Sequence, residues 1–259
     1  MSANTEHPSF PQPTEPTSVW RYMDLSRYLD VATRGRLFFS RQDKFRDTYE
    51  GAIPSKSRQA LAMQSKQNEE ENKKSAVSSD VKNHPFSLEV QMMSFLERVR
   101  RQTFISCWHM NIGESAAMWD LYGRDGSAIA LRTSYIKLRD AFPSHVYLWM
   151  VKYIDFEKEF FALDNSMNPA MHKRRSFEHE KEVRAVIPYL GEISENYALE
   201  QELTEFGLTI PFDVNASVDE IHLSPDAKPW FVRLLQETNA KLGITTPLTK
   251  SSLYDAAIF

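Results

Sequence analysis

The chain has 259 residues, 25% charged and 12% aromatic, a balance typical of a globular protein. Its net charge of −4 gives no global electrostatic attraction to nucleic acid, although local basic patches remain possible. The single cysteine, Cys107, excludes an intrachain disulfide, and no apolar run approaches the roughly 20 residues of a membrane span.

The first ten residues, MSANTEHPSF, lack the basic and apolar segments of a secretory signal, so we expect a cytoplasmic protein with no membrane partner. Residues 1–17 contain four prolines and almost no apolar periodicity, which predicts a disordered tail. We expect residues 18–259 to form one domain.

The first predicted helix, LSRYLDVATRG, has helical apolar spacing and ends at Gly35, a residue suited to the left-handed position after a helix. LFFS then predicts a buried strand. The segment at about 55–83 is rich in Lys, Gln, Glu, Asn and Ser, and it predicts a mobile, partly helical insertion.

The rest of the chain mixes helices and strands. Helices are predicted from Ser87 to Arg101, from Glu114 to Tyr122 and after Pro229. Strands are predicted for TFISCWHM, SAIALRT, HVYLWMVKYI, EVRAVIPYL, GLTIPFDV and VDEIHL. Because helices and strands do not alternate regularly, this order favours an α+β fold with a mixed, mainly antiparallel sheet and flanking helices.

The stretch RRSFEHEKEVRAVIP, residues 174–188, places three glutamates before an apolar run. In an extended chain, Glu180, Glu182 and Arg184 share one face, while the alternate apolar residues face the core. Two carboxylates at the mouth of a strand could then serve a cleft. Alternatively, the i,i+4 spacing of Glu178 and Glu182 predicts a solvated helix end with surface ion pairs.

A rival site lies in FISCWHM, where Cys107 and His109 share one face of a strand, an arrangement that can activate a thiolate. A buried, inert cysteine is the alternative. No HExxH or paired-histidine spacing predicts a metal site.

Several phrases together resemble the bacterial domain of unknown function 2971. They are WRYMDLSRYLDVATRGRLFFSRQDKFRDTYEG, FISCWHMNIGESAAMWDLYG, KRRSFEHEKEVRAV, IHLSPDAKPWF and TPLTKSSL. This resemblance covers about Trp20 to Leu253 and implies an architecture, since the family name carries no established chemistry.

The order of an early basic strand, a helix ending at glycine, and a late glutamate opening a strand is more distantly similar to ADP-ribosyltransferases. That resemblance implies that Arg21 binds NAD and that Glu182 stabilises the positive charge that develops on the nicotinamide ribose. The Glu-x-Glu spacing implies that Glu180 acts as general base toward the acceptor. The Ser-Thr-Ser strand of those enzymes is missing here, and Ser40 or Tyr122 is a positional candidate for its role.

Four aromatic or imidazole side chains are further candidates to line an NAD cleft, or else are core residues: Tyr22, His109, Trp119 and Tyr122. The leading hypothesis is an enzyme that transfers ADP-ribose from NAD to an unidentified protein or nucleic acid, in bacterial defence or a toxin system. The first alternative is a non-catalytic sensor that binds a nucleotide or a protein.

The second alternative is a nuclease whose acidic residues bind Mg²⁺, the candidates being Asp47, Glu50, Glu180 and Glu182. The basic run from His172 to Arg175 could meet a phosphate backbone, or it could pair with nearby glutamates.

Overall fold

The computed structural model of the chain describes residues 2–13, 16–74, 87–123, 125–188 and 202–257. These ranges contain eight α-helices: α1 (Leu25–Arg34), α2 (Ser55–Lys74), α3 (Leu88–Arg101), α4 (Ala116–Tyr122), α5 (Tyr135–Ala141), α6 (Asn168–Met171), α7 (Val214–Ser217) and α8 (Pro229–Lys241). They also contain twelve strands: β1 (Ser18–Met23), β2 (Arg36–Arg41), β3 (Thr103–Met110), β4 (Ile129–Ser134), β5 (Tyr147–Met150), β6 (Lys152–Ile154), β7 (His172–Arg174), β8 (Glu182–Pro188), β9 (Glu202–Leu203), β10 (Gly207–Pro211), β11 (Glu220–Leu223) and β12 (Leu248–Lys250).

Local signals in the sequence set the ends of several helices. The Asp24 side chain accepts from the backbone N–H of Arg27 and caps the start of α1, and Gly35 ends the helix at a φ of 59°. Ser87 caps α3 in the same way, through the N–H of Val90. These boundaries agree with the sequence prediction because each depends on residues a few positions apart.

Ten of the twelve strands form one sheet, and the α+β fold with a mixed, mostly antiparallel sheet is confirmed. The path runs β12-β11-β4-β1-β3-β2-β10-β9, with β8 on the other edge of β3 and β5 beyond it. Within this sheet only β11 and β12 pair in parallel. Strands β6 and β7 form a separate parallel pair.

Strands β1 and β2 both pair with the same edge of β3, at different positions along it. β1 pairs with the end of β3 at His109 and Met110, whereas β2 pairs with its start at Phe104 and Ile105. Among the described strands, none pairs with β3 between these positions on that edge, while β8 runs along its whole opposite edge. The sheet is therefore split over the middle of β3.

The two faces of the sheet differ in character. Along β8, Val183, Ala185 and Ile187 belong to the largest buried cluster, as the alternation predicts. Glu182 and Arg184 point to the opposite face, where they are also buried. Two smaller apolar clusters cover that face, so a set of charged side chains is enclosed beside the sheet.

Residues 2–13 lie in the segment for which the sequence predicts a disordered tail, and in the structure they pack against the rest of the chain. The backbone N–H of Ala3 donates to the carbonyl of Arg139 at 2.9 Å, and Phe10 is 3% exposed. The Phe10 ring lies 4.8 Å from that of Trp149. Prolines favour an extended chain, and here the extended segment is held both by backbone hydrogen bonds to the rest of the chain and by the buried ring of Phe10.

The predicted insertion at about 55–83 begins with α2, which packs on α3. Leu61 is buried, the Ser57 hydroxyl donates to the carbonyl of Phe161 at 2.7 Å, and the N–H of Glu89 donates to the Ser65 hydroxyl. Residues 75–83 lie outside the described part of the chain. Of the helices that are described, none is both long and apolar enough to span a bilayer.

Replacing Phe10 by alanine should lower the free energy of unfolding by about 3 kcal/mol, because a buried aromatic ring is lost. Phe160→Ala is the control: that ring is 67% exposed, and its loss should change stability by at most about 0.5 kcal/mol. Chemical denaturation of both variants provides the measurement. If Phe10→Ala lowers the free energy of unfolding as little as the control does, the N-terminal segment does not contribute to the core.

Candidate functional site

For residues 174–188 the sequence left two alternatives open, a solvated helix end and the mouth of a strand, and the structure contains both. Residues Arg175–Glu180 form a short 3₁₀ helix, and Lys181 takes the left-handed conformation before β8 begins at Glu182. Glu178 is exposed on the helical turn, in line with a solvated helix end. Glu182 opens the strand, in line with a strand mouth.

The carboxyl groups of Glu180 and Glu182 meet at the ammonium group of Lys173. The Lys173 Nζ lies 2.6 Å from Glu180 Oε2 and 2.6 Å from Glu182 Oε1. The other carboxylate oxygen of Glu182 accepts from Arg184 Nε at 2.6 Å. Both oxygens of Glu182 are therefore engaged by cations in a buried position.

Arg184 is completely buried and extends this cluster to the loop after β2. Its two terminal nitrogens donate to both oxygens of Glu50, at 2.9 and 2.7 Å, and one also donates to the carbonyl of Ala170 at 2.6 Å. Bidentate arginine–carboxylate contacts are among the stronger hydrogen-bonded pairs in proteins. Five side chains thus form what we call the charge cluster: Glu50, Lys173, Glu180, Glu182 and Arg184.

The charge cluster holds three carboxyl groups and two cations, so one proton balances it. Burial, reinforced by the neighbouring carboxylate of Glu182, raises the pKa of Glu180 to about 8. Burial alone would raise the pKa of Glu182 too, but Arg184 and Lys173 hold the pKa of that carboxyl well below its usual range. At neutral pH, Glu180 is therefore mostly protonated and Glu182 is ionised.

Three of the predicted aromatic residues lie together near this cluster. The ring of Tyr22 lies 4.9 Å from that of Trp119 and 6.4 Å from that of Tyr122, measured between centroids. Tyr122 is 37% exposed, and burial of the rest of the side chain raises the pKa of its hydroxyl, as do the nearby acidic groups. In this group, which we call the aromatic wall, Tyr22 and Trp119 are buried, whereas Tyr122 presents a neutral phenol and a partly open ring.

His109 links the aromatic wall to the glutamate pair. Its ring lies 6.1 Å from that of Tyr22, and its Nδ1 is 2.6 Å from the carbonyl oxygen of Glu180. A carbonyl only accepts, so Nδ1 carries the proton, and in the neutral ring Nε2 is a hydrogen-bond acceptor. Nε2 is buried and has no partner among the described residues. Burial lowers the pKa of His109, which favours this neutral form.

Arg21 lies where the sheet splits. Its Nη1 donates to the Ser106 hydroxyl at 2.7 Å and to the Cys107 carbonyl at 2.9 Å, and its Nη2 donates to the Phe38 carbonyl at 3.3 Å. The guanidinium group thereby joins β1, β2 and β3 at the point where their ladder is interrupted. Its Nε–H and one Nη2–H are not used in these contacts.

Ser40 does not lie beside the glutamate pair. It pairs with Ile105 on β3, whereas Glu182 pairs with His109, four residues farther along the same strand. At the rise of a β-strand this separation is on the order of 13 Å. Of the two positional candidates for the missing middle motif, Tyr122 lies closer to the glutamates.

The rival thiol site is not supported by its surroundings. Burial raises the pKa of the Cys107 thiol above its usual value, as does the nearby carboxylate of Glu182, so the thiolate is disfavoured. Cys107 and His109 do share a face of β3, as predicted. Their environment suits a neutral, inert thiol.

The predicted basic run and acidic cluster are largely paired within the chain. Arg174 contacts Asp47 at 2.7 Å and Arg175 contacts Glu159 at 2.6 Å, while His172 is buried. The carboxyl groups of Glu50, Glu180 and Glu182 do converge, but on Lys173 and Arg184. No group of three or more metal-ligating side chains with the geometry to hold an ion occurs in the described ranges.

The sequence offered the pairing of the basic run with nearby glutamates, but it did not single out Lys173 in that run, and it missed the structural role of Glu50. Lys173 lies on β7, which pairs in parallel with β6. A lysine seven residues before Glu180 is a weak signal without that geometry. Arg184 was placed on the correct face, yet its partner Glu50 is 134 residues away.

Comparison with known proteins adds no relative. A scan against protein-family models finds no match to the chain, and searches of curated proteins and of solved structures find none either. The two resemblances seen in the sequence therefore stay predictions.

Replacing Glu180 by glutamine should change how stability depends on pH. In the wild type the folded state keeps a proton on Glu180 up to about pH 8, whereas an unfolded glutamate loses it near pH 4.3, so stability falls as pH rises through this window. The free energy of unfolding of Glu180→Gln should therefore rise relative to wild type by about 1.4 kcal/mol per pH unit between about pH 5 and 8.

Denaturation at several pH values gives this difference directly, because histidine titrations common to both proteins cancel. Glu178→Gln, on the same turn but exposed, should show no such slope. A constant difference between Glu180→Gln and wild type would mean that Glu180 is ionised in the folded protein.

Proposed function

We propose that NAD binds between the aromatic wall and the glutamate pair, in what we call the proposed cleft, and that the chain transfers ADP-ribose from NAD to a macromolecular acceptor. The observation that carries this proposal is the pair of adjacent carboxyl groups at the mouth of β8, one ionised and one with a pKa of about 8. Environments that push two carboxyl pKa values apart are typical of sites that cleave glycosidic bonds.

The two carboxyl groups would have different roles in this reaction. The bond between the ribose C1′ and nicotinamide breaks, nicotinamide leaves with the bonding electrons, and positive charge develops on the ribose. The negative charge of Glu182 favours that state, although Lys173 and Arg184 offset part of its effect. Glu180, once deprotonated, takes the proton from the acceptor group that forms the new bond to C1′.

The surrounding residues suit a nucleotide with an aromatic base and ribose hydroxyls. The exposed part of the Tyr122 ring offers a surface for stacking. The lone pair of His109 Nε2 is buried and has no partner among the described residues, so it can accept from a ligand hydroxyl only if the side chains that cover it move. Arg21 supports the proposed site from within the sheet, by holding β1, β2 and β3 together where their ladder is interrupted.

The test compares nicotinamide release from NAD by wild type, Glu180→Gln and Glu178→Gln. We expect Glu180→Gln to reduce turnover by at least about 100-fold, the usual contribution of a general base, and Glu178→Gln to leave it unchanged. Because the base acts when deprotonated, wild-type turnover should rise with pH up to about 8.

Wild-type protein that releases no nicotinamide at any pH and with any acceptor would contradict the transfer. Equal turnover by Glu180→Gln would remove Glu180 from the mechanism. Glu182→Gln is a less informative variant, since it leaves the buried Lys173 and Arg184 short of one carboxylate and is expected to disturb folding.

The second candidate is a module that binds a nucleotide without cleaving it. The full engagement of both Glu182 oxygens by Lys173 and Arg184 favours this alternative, because a carboxylate neutralised by two cations gives less stabilisation to a new positive charge. Calorimetry would then show saturable binding of NAD or a related nucleotide, while nicotinamide release stays at the level without protein.

A further inference from the structure

Lys181, between the two glutamates of the proposed site, has an unusual backbone conformation. Its φ is 41° and its ψ is 54°, and no other non-glycine residue in the described ranges has a positive φ. Side chains with a Cβ rarely adopt this left-handed region, whereas glycine enters it freely. A glycine at this position would suit the backbone better than a lysine.

Two backbone hydrogen bonds hold Lys181 in this conformation, and neither of them involves its side chain. Its N–H donates to the carbonyl of Glu178 at 3.2 Å and ends the 3₁₀ helix, and its own carbonyl accepts from the N–H of Met110 at 2.9 Å. Glycine would form both hydrogen bonds with less strain.

The side chain of Lys181 is an uncompensated cation. Nearby Lys173, Arg174, Arg175 and Arg184 each pair with a carboxylate, whereas Lys181 is exposed and forms no ion pair within the described part of the chain. The charge of Lys181 also acts on His109. Burial is the main cause of the lowered pKa of His109, and the nearby positive charge of Lys181 lowers that pKa further.

The cations around the glutamate pair differ in whether they are already paired. Lys173 and Arg184 are buried and balanced by the carboxyl groups of the charge cluster, whereas Lys181 is exposed and has no carboxylate partner among the described residues. An exposed ammonium group without a partner favours an anionic group of a ligand over a second cation.

We propose that Lys181 is a phosphate-binding residue that contacts the pyrophosphate of the dinucleotide at the mouth of the cleft. This inference rests on the proposed function. It assigns to the Lys181 ammonium group the selection of ligands that carry phosphate. Lys181 immediately precedes Glu182 in the chain. In NAD the pyrophosphate is joined to the reacting ribose through C5′. One ligand can therefore contact both residues.

The test uses three substitutions at this position. Lys181→Gly and Lys181→Asn remove the charge with residues that tolerate the left-handed region, and Lys181→Arg keeps the charge. Calorimetry measures binding of NAD, ADP, inorganic pyrophosphate and nicotinamide riboside, and thermal unfolding is measured in parallel.

We expect Lys181→Gly to have an unchanged or higher midpoint of unfolding, yet to bind NAD, ADP and pyrophosphate about 10-fold more weakly, the effect of losing one charge-assisted contact. Lys181→Asn should bind as weakly as Lys181→Gly. Lys181→Arg should bind these ligands like wild type, and nicotinamide riboside, which lacks the pyrophosphate, should bind all four proteins equally.

Wild-type protein that does not bind ADP or pyrophosphate would overturn the inference, as would equal affinity of Lys181→Gly and wild type for them. The proposed transfer is judged separately, by nicotinamide release. If pyrophosphate binding is lost in Lys181→Gly while the wild type releases no nicotinamide, the phosphate contact holds and the transfer fails.

Discussion

The contact between Arg184 and Glu50 is the interaction on which the candidate site depends. A guanidinium group with no exposure is held in place by two hydrogen bonds to one carboxylate, and its remaining nitrogen fixes Glu182. Without Glu50, the Arg184 cation would be buried with too little negative charge around it, a condition that costs several kcal/mol. The loop after β2, strand β8 and the carbonyl of Ala170 are thus joined by one side chain.

The two sides of the proposed cleft come from different parts of the fold and share the sheet as a common support. The charge cluster comes from the loop after β2, from β7, from the 3₁₀ helix and from β8, whereas the aromatic wall comes from β1 and α4. The hydrogen bond from His109 to the Glu180 carbonyl joins the two sides. Because β3 and β8 are paired along their whole length, a shift of either strand would move His109 and the glutamate pair together.

Local patterns in the sequence predicted the parts of the fold that depend on neighbouring residues. Gly35 marked the end of α1, and the alternation after Glu182 identified the core face of β8. The docking of Phe10 and the position of Lys173 were not predictable, because both depend on contacts between distant segments. Ser40 was placed in the correct strand, but only the register of β2 against β3 shows how far it lies from the glutamates.

The separation of Glu50 and Arg184 along the chain has a consequence for the order of folding. The two residues are 134 positions apart, and neither charge can leave water favourably before the other arrives. Contacts of such long range form slowly because a large loop must close first. We therefore expect β3 and β8 to pair before the Glu50 loop docks, so that the site where the chemistry is proposed is completed late in folding.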